Sequence, residues 1–166
     1  MATGASKVRK KQKQRAPDKY GAMVIDFLQK LYAGNYEDVW DYLSSANRSF
    51  LVGIICETAW LGPKHVYTQL AAKPPEGERY KSLIKAIIAA AAAHVKEEWG
   101  EDFLERSGIT PTEFLEDGRA LVRVIRYKDP HGIPTLEQSY NCLNIYLVPD
   151  ASRRRWLVDF WGLWGF

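Results

Sequence analysis

The spacing of apolar residues changes from a helical period to an alternating one near Gly118, and this change limits the fold more than any other feature. Before that point apolar side chains recur every three or four residues, and after it they alternate as in strands. Strand-like segments follow at 119–128, 139–148 and 154–164, separated by turn residues. Consecutive strands with short connections predict a curved antiparallel sheet, so the fold class is α+β with N-terminal helices packed on that sheet.

Glycine and proline divide the helical part into segments. Apolar spacing predicts one helix that ends at Gly34 and a second that begins after Asn35, so the two form a helical hairpin. The nearly continuous apolar run 50–61 favours a helix, and 80–99 is the longest predicted helix. A short helix is also predicted over 110–118, because it opens with the Thr-Pro-Thr-Glu pattern of a capping box.

The positive charge of the chain is concentrated at its N-terminus. The first fifteen residues contain six cations and no acid, and subtracting these six from the 23 cations leaves 17 against 20 acids, a net charge of −3. With 46% hydrophobic residues overall, the chain has enough apolar material for one core. We therefore predict a disordered basic tail over 1–16 and a single domain over 17–166. Any contact with nucleic acid would be confined to the tail.

The chain lacks the sequence signals of several classes of protein. No apolar run approaches the ~20 residues of a membrane span, and no secretory signal opens the chain, so we expect a cytoplasmic protein. Cys56 and Cys142 have apolar neighbours, which is typical of buried free thiols. The three histidines stand alone, so no metal site is predicted, and no phosphate-binding glycine loop points to a cofactor.

Three stretches together resemble the nuclear transport factor two-like superfamily of cone-shaped α+β folds. They are the helical hairpin 27–44, the strand entry 114–124, and the ending 147–161, in which a tryptophan follows the turn. The resemblance implies a conical sheet around helices, an apolar cavity at its wide end, and dimerisation through the outer face of the sheet. Relative to that family, segment 50–108 is an extended helical insertion or a rebuilt lid. The fold hosts enzymes, carriers and interaction modules, so the resemblance does not select a chemistry.

Asp159 is the candidate general base, because its apolar neighbours would suit that role if the carboxylate faced inward. The alternative is that Asp159 faces solvent or pairs with an arginine of 153–155. Alternation places one set of residues on a single face of strand 139–148, namely Tyr140, Cys142, Asn144 and Tyr146. This set either lines a cavity, or the opposite aliphatic face packs on the helices and leaves Tyr140 and Tyr146 for a dimer interface. The candidate lining of a pocket for an apolar small molecule is Tyr42, Arg123, Tyr127, Asn144 and Tyr146.

The two ends of the chain are the candidate surfaces for a protein partner. The tail offers Lys10, Lys11 and Lys13, and the aromatic ending offers Trp161, Trp164 and Phe166. That ending either completes the last strand or docks on a partner.

Two hypotheses follow. The first is a non-catalytic binding or assembly module that forms a homodimer or docks on a protein partner. The alternative is a small-molecule lyase, isomerase or ligand carrier that uses Asp159.

Overall fold

Five helices precede a five-stranded sheet in the part of the chain that the computed structural model describes, residues 16–71, 77–126, 142–150, 152 and 154–164. The helices are α1 (Lys19–Ala33), α2 (Tyr36–Tyr42), α3 (Ser45–Ala59), α4 (Pro63–Ala71) and α5 (Glu78–Trp99). The strands are β1 (Ser107–Ile109), β2 (Glu113–Phe114), β3 (Ala120–Arg126), β4 (Cys142–Asp150) and β5 (Arg155–Asp159), and a 3₁₀ helix covers Trp161–Trp164. Among these helices, none is both long and apolar enough to cross a membrane.

The strands form an open antiparallel sheet in the order β1-β3-β4-β5, and β2 pairs with β3 beyond the end of β1. Tyr146 of β4 lies opposite Asp159 of β5, which fixes the register of the last pair. The predicted α+β class, with helices first and an antiparallel sheet last, is confirmed. The cone shape and the status of 50–108 as an insertion stay predictions, and the basic tail lies outside the described residues, apart from its last residue.

One face of the sheet packs against the helices. Its buried side chains occupy alternate strand positions and share one core with α1; they are Val122, Val124, Leu143, Ile145, Leu147 and Val158. Because successive side chains of a strand point to opposite faces, Arg123, Asn144 and Tyr146 fall on the outer face. The helix side of the sheet therefore supplies the core, and the predicted polar residues of β3 and β4 lie away from it.

Helix α1 has the boundaries and the buried face that its sequence predicts. The side chain of Asp18 caps the helix by accepting the N–H groups of Tyr20 at 3.1 Å and Gly21 at 2.9 Å. Gly34 ends the helix in the left-handed conformation with φ 82°, which glycine adopts without strain. The residues at helical spacing, Val24, Phe27, Leu28 and Leu31, are all buried.

The helix predicted over 110–118 is wrong, because Glu113–Phe114 form strand β2 and pair with β3 instead. Thr112 donates its N–H and its hydroxyl to the carboxylate of Asp18, at 3.1 and 2.8 Å. The carboxylate of Glu113 binds Arg123 at 2.7 Å and so does not cap a helix. Pairing of β2 with β3 outweighs the local capping pattern, which is worth only about 1 kcal/mol.

The strand predicted over 154–164 is wrong beyond Asp159, where the chain turns into the 3₁₀ helix. The side chain of Phe160 is buried and packs edge-on against Phe27, with ring centroids 6.4 Å apart. At Gly162 the backbone passes so close to the Phe160 ring that an added Cβ would lie 2.6 Å from it. The burial of Phe160 and the small size of Gly162 therefore turn the chain out of the sheet.

Replacing Asp18 by alanine tests the link between α1 and β2. We expect the free energy of unfolding to fall by about 1–2 kcal/mol, because the helix cap and the bonds to Thr112 are lost together. The bond from Gly21 and those from Thr112 lower the pKa of Asp18 against the opposing effect of burial. A lowered pKa stabilises the fold at neutral pH, and that stability is lost as the pH falls below about 4.

Asp18→Asn is the matched control, because asparagine also caps helices but does not titrate. Chemical denaturation at pH 7 and pH 3 measures both effects. The variant should retain more stability than Asp18→Ala at pH 7 and lose less than the wild type on acidification. Equal acid sensitivity in all three proteins would contradict the assignment.

Candidate functional site

Strand β4 is paired on one side for most of its length but on the other only over its second half. β3 pairs with residues 142–147, whereas β5 pairs with residues 146–150. Residues 142–145 therefore have no strand partner on the β5 side among the described residues. An unpaired edge of this kind presents backbone donors and acceptors to any further strand.

The contacts of Arg123 show which way the backbone of β4 points. The N–H of Arg123 donates to the hydroxyl of Thr110 at 3.3 Å, and its carbonyl accepts the N–H of Thr110 at 3.0 Å. In an antiparallel pair, a residue directs both backbone groups to the same side. The backbone groups of Arg123 thus point away from β4. Asn144 lies opposite Arg123, so its backbone groups point away from β3. The N–H and carbonyl of Asn144 therefore point to the free edge.

A buried polar cluster at the start of α3 holds the end of β5. The side-chain oxygen of Asn47, a fully buried residue, accepts the N–H of Phe160 at 3.1 Å. Ser44 caps α3 by accepting the N–H of Asn47 at 3.1 Å and donates its hydroxyl to Asp159 at 2.6 Å. The N–H of Ser44 also donates to the carbonyl of Val158 at 2.7 Å. These bonds fix the last residues of β5 to α3.

Sequence reasoning missed both Ser44 and Asn47. The signal for Ser44 was present, since a serine directly before an apolar helical run is a typical helix cap. Asn47 had no comparable signal, because its role depends on a residue 113 positions away.

A cleft of about 450 Å³ opens beside the free edge, and we call it the β4-edge cleft. α5 forms one wall, β4 another, and the turn into the 3₁₀ helix the third; the lining includes His94, Glu98, Trp99, Asn144, Tyr146 and Trp161. Trp161 packs edge-on against Phe50, with ring centroids 5.9 Å apart, and keeps 37% of its surface exposed. The cleft therefore combines an open strand edge with aromatic walls.

The strand register shows that the β4-edge cleft lies where a continued β5 would pair with Asn144. Tyr146 lies opposite Asp159, so a continued β5 would bring residue 161 opposite Asn144. Trp161 lies in the 3₁₀ helix instead and borders the cleft from the side. The described residues outside the sheet make no backbone hydrogen bond to Asn144.

The structure brings together three of the residues that the sequence singles out, Asn144, Tyr146 and Trp161, in the β4-edge cleft. Arg123 lies next to Asn144 on the outer face, but its guanidinium is paired with Glu113. Asp159 binds Ser44, not one of the described arginines, and it is not part of the lining of the β4-edge cleft. Five predicted residues lie outside the described part, namely Lys10, Lys11, Lys13, Tyr127 and Phe166, and so does the side chain of Trp164.

Tyr42 lies apart from the other predicted pocket residues, on α2. Its hydroxyl donates to Asp26, which also binds Lys30 at 3.1 Å. Burial and the bond to Asp26 raise the pKa of Tyr42, and the bonds from Tyr42 and Lys30 lower the pKa of Asp26. A carboxylate stabilised in this way is a weak proton acceptor, so the cluster links α1 to α2 rather than forming a catalytic base.

A cleft of about 740 Å³ lies between α1 and β1. Its single charged residue is Asp18, whose pKa is lowered by the N–H of Gly21 and by Thr112. Two of its hydroxyls are already bonded, that of Ser107 to the backbone and that of Thr110 to the N–H of Arg123. The cleft therefore offers space but no free titratable group.

The described residues contain no group of three or more His, Cys, Asp or Glu side chains that could hold a metal ion. Cys56 and Cys142 are half-buried free thiols, and burial raises the pKa of Cys142. The thiol form of Cys142 is thus favoured at neutral pH, which makes it a poor nucleophile.

Comparison with known proteins adds no relative to this description. No family model, curated protein or solved structure matches this chain. The geometry of the clefts therefore carries the functional argument by itself.

Asn47→Ala tests whether the buried amide holds β5. We expect the free energy of unfolding to fall by about 1–3 kcal/mol, because the buried N–H of Phe160 loses its acceptor. Asn35→Ala is the matched control, since Asn35 is exposed and makes no side-chain capping bond. Denaturant titration of both variants gives the comparison. A loss at position 47 no larger than that at position 35 would contradict the role of Asn47.

Proposed function

We propose that this protein is a non-catalytic binding module that takes an extended segment of a partner protein into the β4-edge cleft. The observation that carries the proposal is the orientation of Asn144, which offers one backbone donor and one acceptor at an open strand edge. A partner segment antiparallel to β4 would occupy the line that β5 leaves after Asp159. Strand addition of this type gives affinity through main-chain bonds and specificity through side-chain pockets.

The side chains around the cleft support a polypeptide ligand. Trp99, Tyr146 and Trp161 supply aromatic surface, which is enriched at the centres of protein interfaces. His94 and Glu98 are exposed on α5 and form a polar rim. We therefore expect a segment with apolar side chains at alternate positions and a lysine or arginine near Glu98.

The short length of the free edge favours a single extended segment over a second copy of this chain. The edge spans residues 142–145, and only Cys142 and Asn144 direct their backbone groups outward. Strand pairing between two copies over so short an edge would bury less than the roughly 1,000 Å² of a stable interface. The walls of α5 and the 3₁₀ helix also limit the approach of a second sheet.

The alternative of a lyase, an isomerase or a ligand carrier finds less support. Asp159 is bonded to Ser44 and does not line the β4-edge cleft, and the pKa values of Asp18 and Asp26 are lowered. The titratable pair of the β4-edge cleft, His94 and Glu98, is exposed to water. The binding function requires only an open α+β sheet with a free edge, so it does not depend on the cone resemblance.

Peptides selected from a displayed random heptapeptide library test the proposal. The library is selected on the wild type, and Asn144→Pro and Asn144→Ala are then compared by calorimetry with the peptides obtained. Proline removes the outward N–H but is tolerated where that group faces an open edge. We expect binding to weaken by about tenfold in Asn144→Pro, because a main-chain bond is lost, and to stay within about threefold in Asn144→Ala.

Two controls separate this outcome from unfolding and from catalysis. Asn144→Pro should keep its melting temperature, whereas Leu143→Pro should unfold, because Leu143 directs its N–H to β3. Asp159→Asn should leave peptide affinity nearly unchanged. Failure to select any peptide, or equal binding by the wild type and Asn144→Pro, would contradict the proposal. A wild-type dimer that Asn144→Pro converts to a monomer would replace the partner segment with a second copy.

A further inference from the structure

Another cleft, of about 410 Å³, lies where β5 begins, between α1 and α2. We call it the Arg155 cleft. Two cations border it, Lys19 and Arg155, together with the aromatic rings of Tyr20 and Trp156 and the carboxylate of Asp41. None of the ion pairs among the described residues includes Lys19, Asp41 or Arg155. The two cations and one carboxylate that border the cleft therefore sum to a net charge of about +1 at neutral pH, and Lys19 also lies over the Tyr20 ring, 4.7 Å from its centroid.

The guanidinium of Arg155 has donors that the described chain does not satisfy. Its Nε and Nη2 atoms are buried and have no hydrogen-bond partner. Buried donors of a charged group without an acceptor are costly and rare, so each instance calls for a partner. Arg155 as a whole is half-buried and forms part of the cleft lining.

We infer that the Arg155 cleft binds an anionic group, a carboxylate or a phosphate, carried on a flat apolar body. Adjacent N–H groups of a guanidinium form a fork that binds either anion through two parallel hydrogen bonds. Lys19 adds a second cation at the same cleft. The rings of Tyr20 and Trp156, whose centroids are 5.2 Å apart, offer a wall for the apolar body.

Asp41 and Tyr42 limit the choice of ligand. The carboxylate of Asp41 repels a second negative charge, so a singly charged ligand fits better than a doubly charged one. The hydroxyl of Tyr42 is already donated to Asp26 and adds no donor for the anion. Recognition of the anion therefore depends on Arg155 first and on Lys19 second.

Nuclear magnetic resonance of the arginine side chains provides the test, because the Nε–H signal of Arg155 reports directly on an acceptor. Benzoate and phenyl phosphate serve as the two anionic probes, inorganic phosphate as the head group alone, and benzyl alcohol as the body alone. We expect a saturable shift of the Arg155 signal with benzoate or phenyl phosphate, about tenfold weaker binding of inorganic phosphate, and no shift with benzyl alcohol. Whichever of benzoate and phenyl phosphate binds with the higher affinity identifies the preferred anion.

Arg155→Lys keeps the charge but removes the fork, so it should weaken probe binding by about tenfold. The matched control is Arg106→Lys, because Arg106 is exposed and paired with Asp102. Asn144→Pro should leave anion binding unchanged, so this inference stands or falls separately from peptide binding.

Two results would overturn the inference. One is the absence of a saturable shift at Arg155, or equal probe affinity in Arg155→Lys. The other comes from Asp41→Asn, which should strengthen anion binding without lowering the melting temperature. A lower melting temperature and unchanged anion affinity in Asp41→Asn would show that Asp41 stabilises the fold and that no anion binds beside it.

Discussion

The hydrogen bond from the N–H of Phe160 to the buried amide of Asn47 attaches the residue directly after β5 to α3. It acts with Ser44, which binds both Asp159 and Val158, so the last residues of β5 are attached to α3 as well as to β4. The Phe160 ring is buried and packs edge-on against Phe27 of α1, and the chain then enters the 3₁₀ helix. Among the described residues, Trp161 therefore borders the β4-edge cleft instead of pairing with Asn144, and the first half of β4 has a strand partner on one side only.

The general architecture could be predicted from sequence because it depends on local periodicity. Apolar spacing located α1 and its end at Gly34, and alternation located β3 and β4. The failures occur where distant residues compete with local preference. The Thr-Pro-Thr-Glu pattern predicts a helix start, but β3 offers a strand partner and Asp18 offers an acceptor to the same residues. Sequence periodicity contains no information about either of those partners.

In the candidate sites, too, features set by local periodicity could be predicted from the sequence and features set by distant residues could not. Alternation alone placed Asn144 and Tyr146 on one face, as the structure does. Their proximity to Trp161 could not be predicted, because it requires β5 to stop at Asp159 and depends on the buried amide of Asn47. From the sequence, Arg155 is predicted only as one possible partner for Asp159. Its actual surroundings at the start of α1 depend on how α1 and α2 pack beside β5.

Hydrogen exchange at the backbone of β4 tests the central claim most directly. The account predicts that the amide of Asn144 exchanges rapidly in the free protein, whereas the amides of Leu143 and Ile145, which face β3, are strongly protected. A selected peptide should then protect Asn144 while leaving its neighbours unchanged. An Asn144 amide as protected as those of Leu143 and Ile145 in the free protein would show that the edge is closed, and would contradict the account.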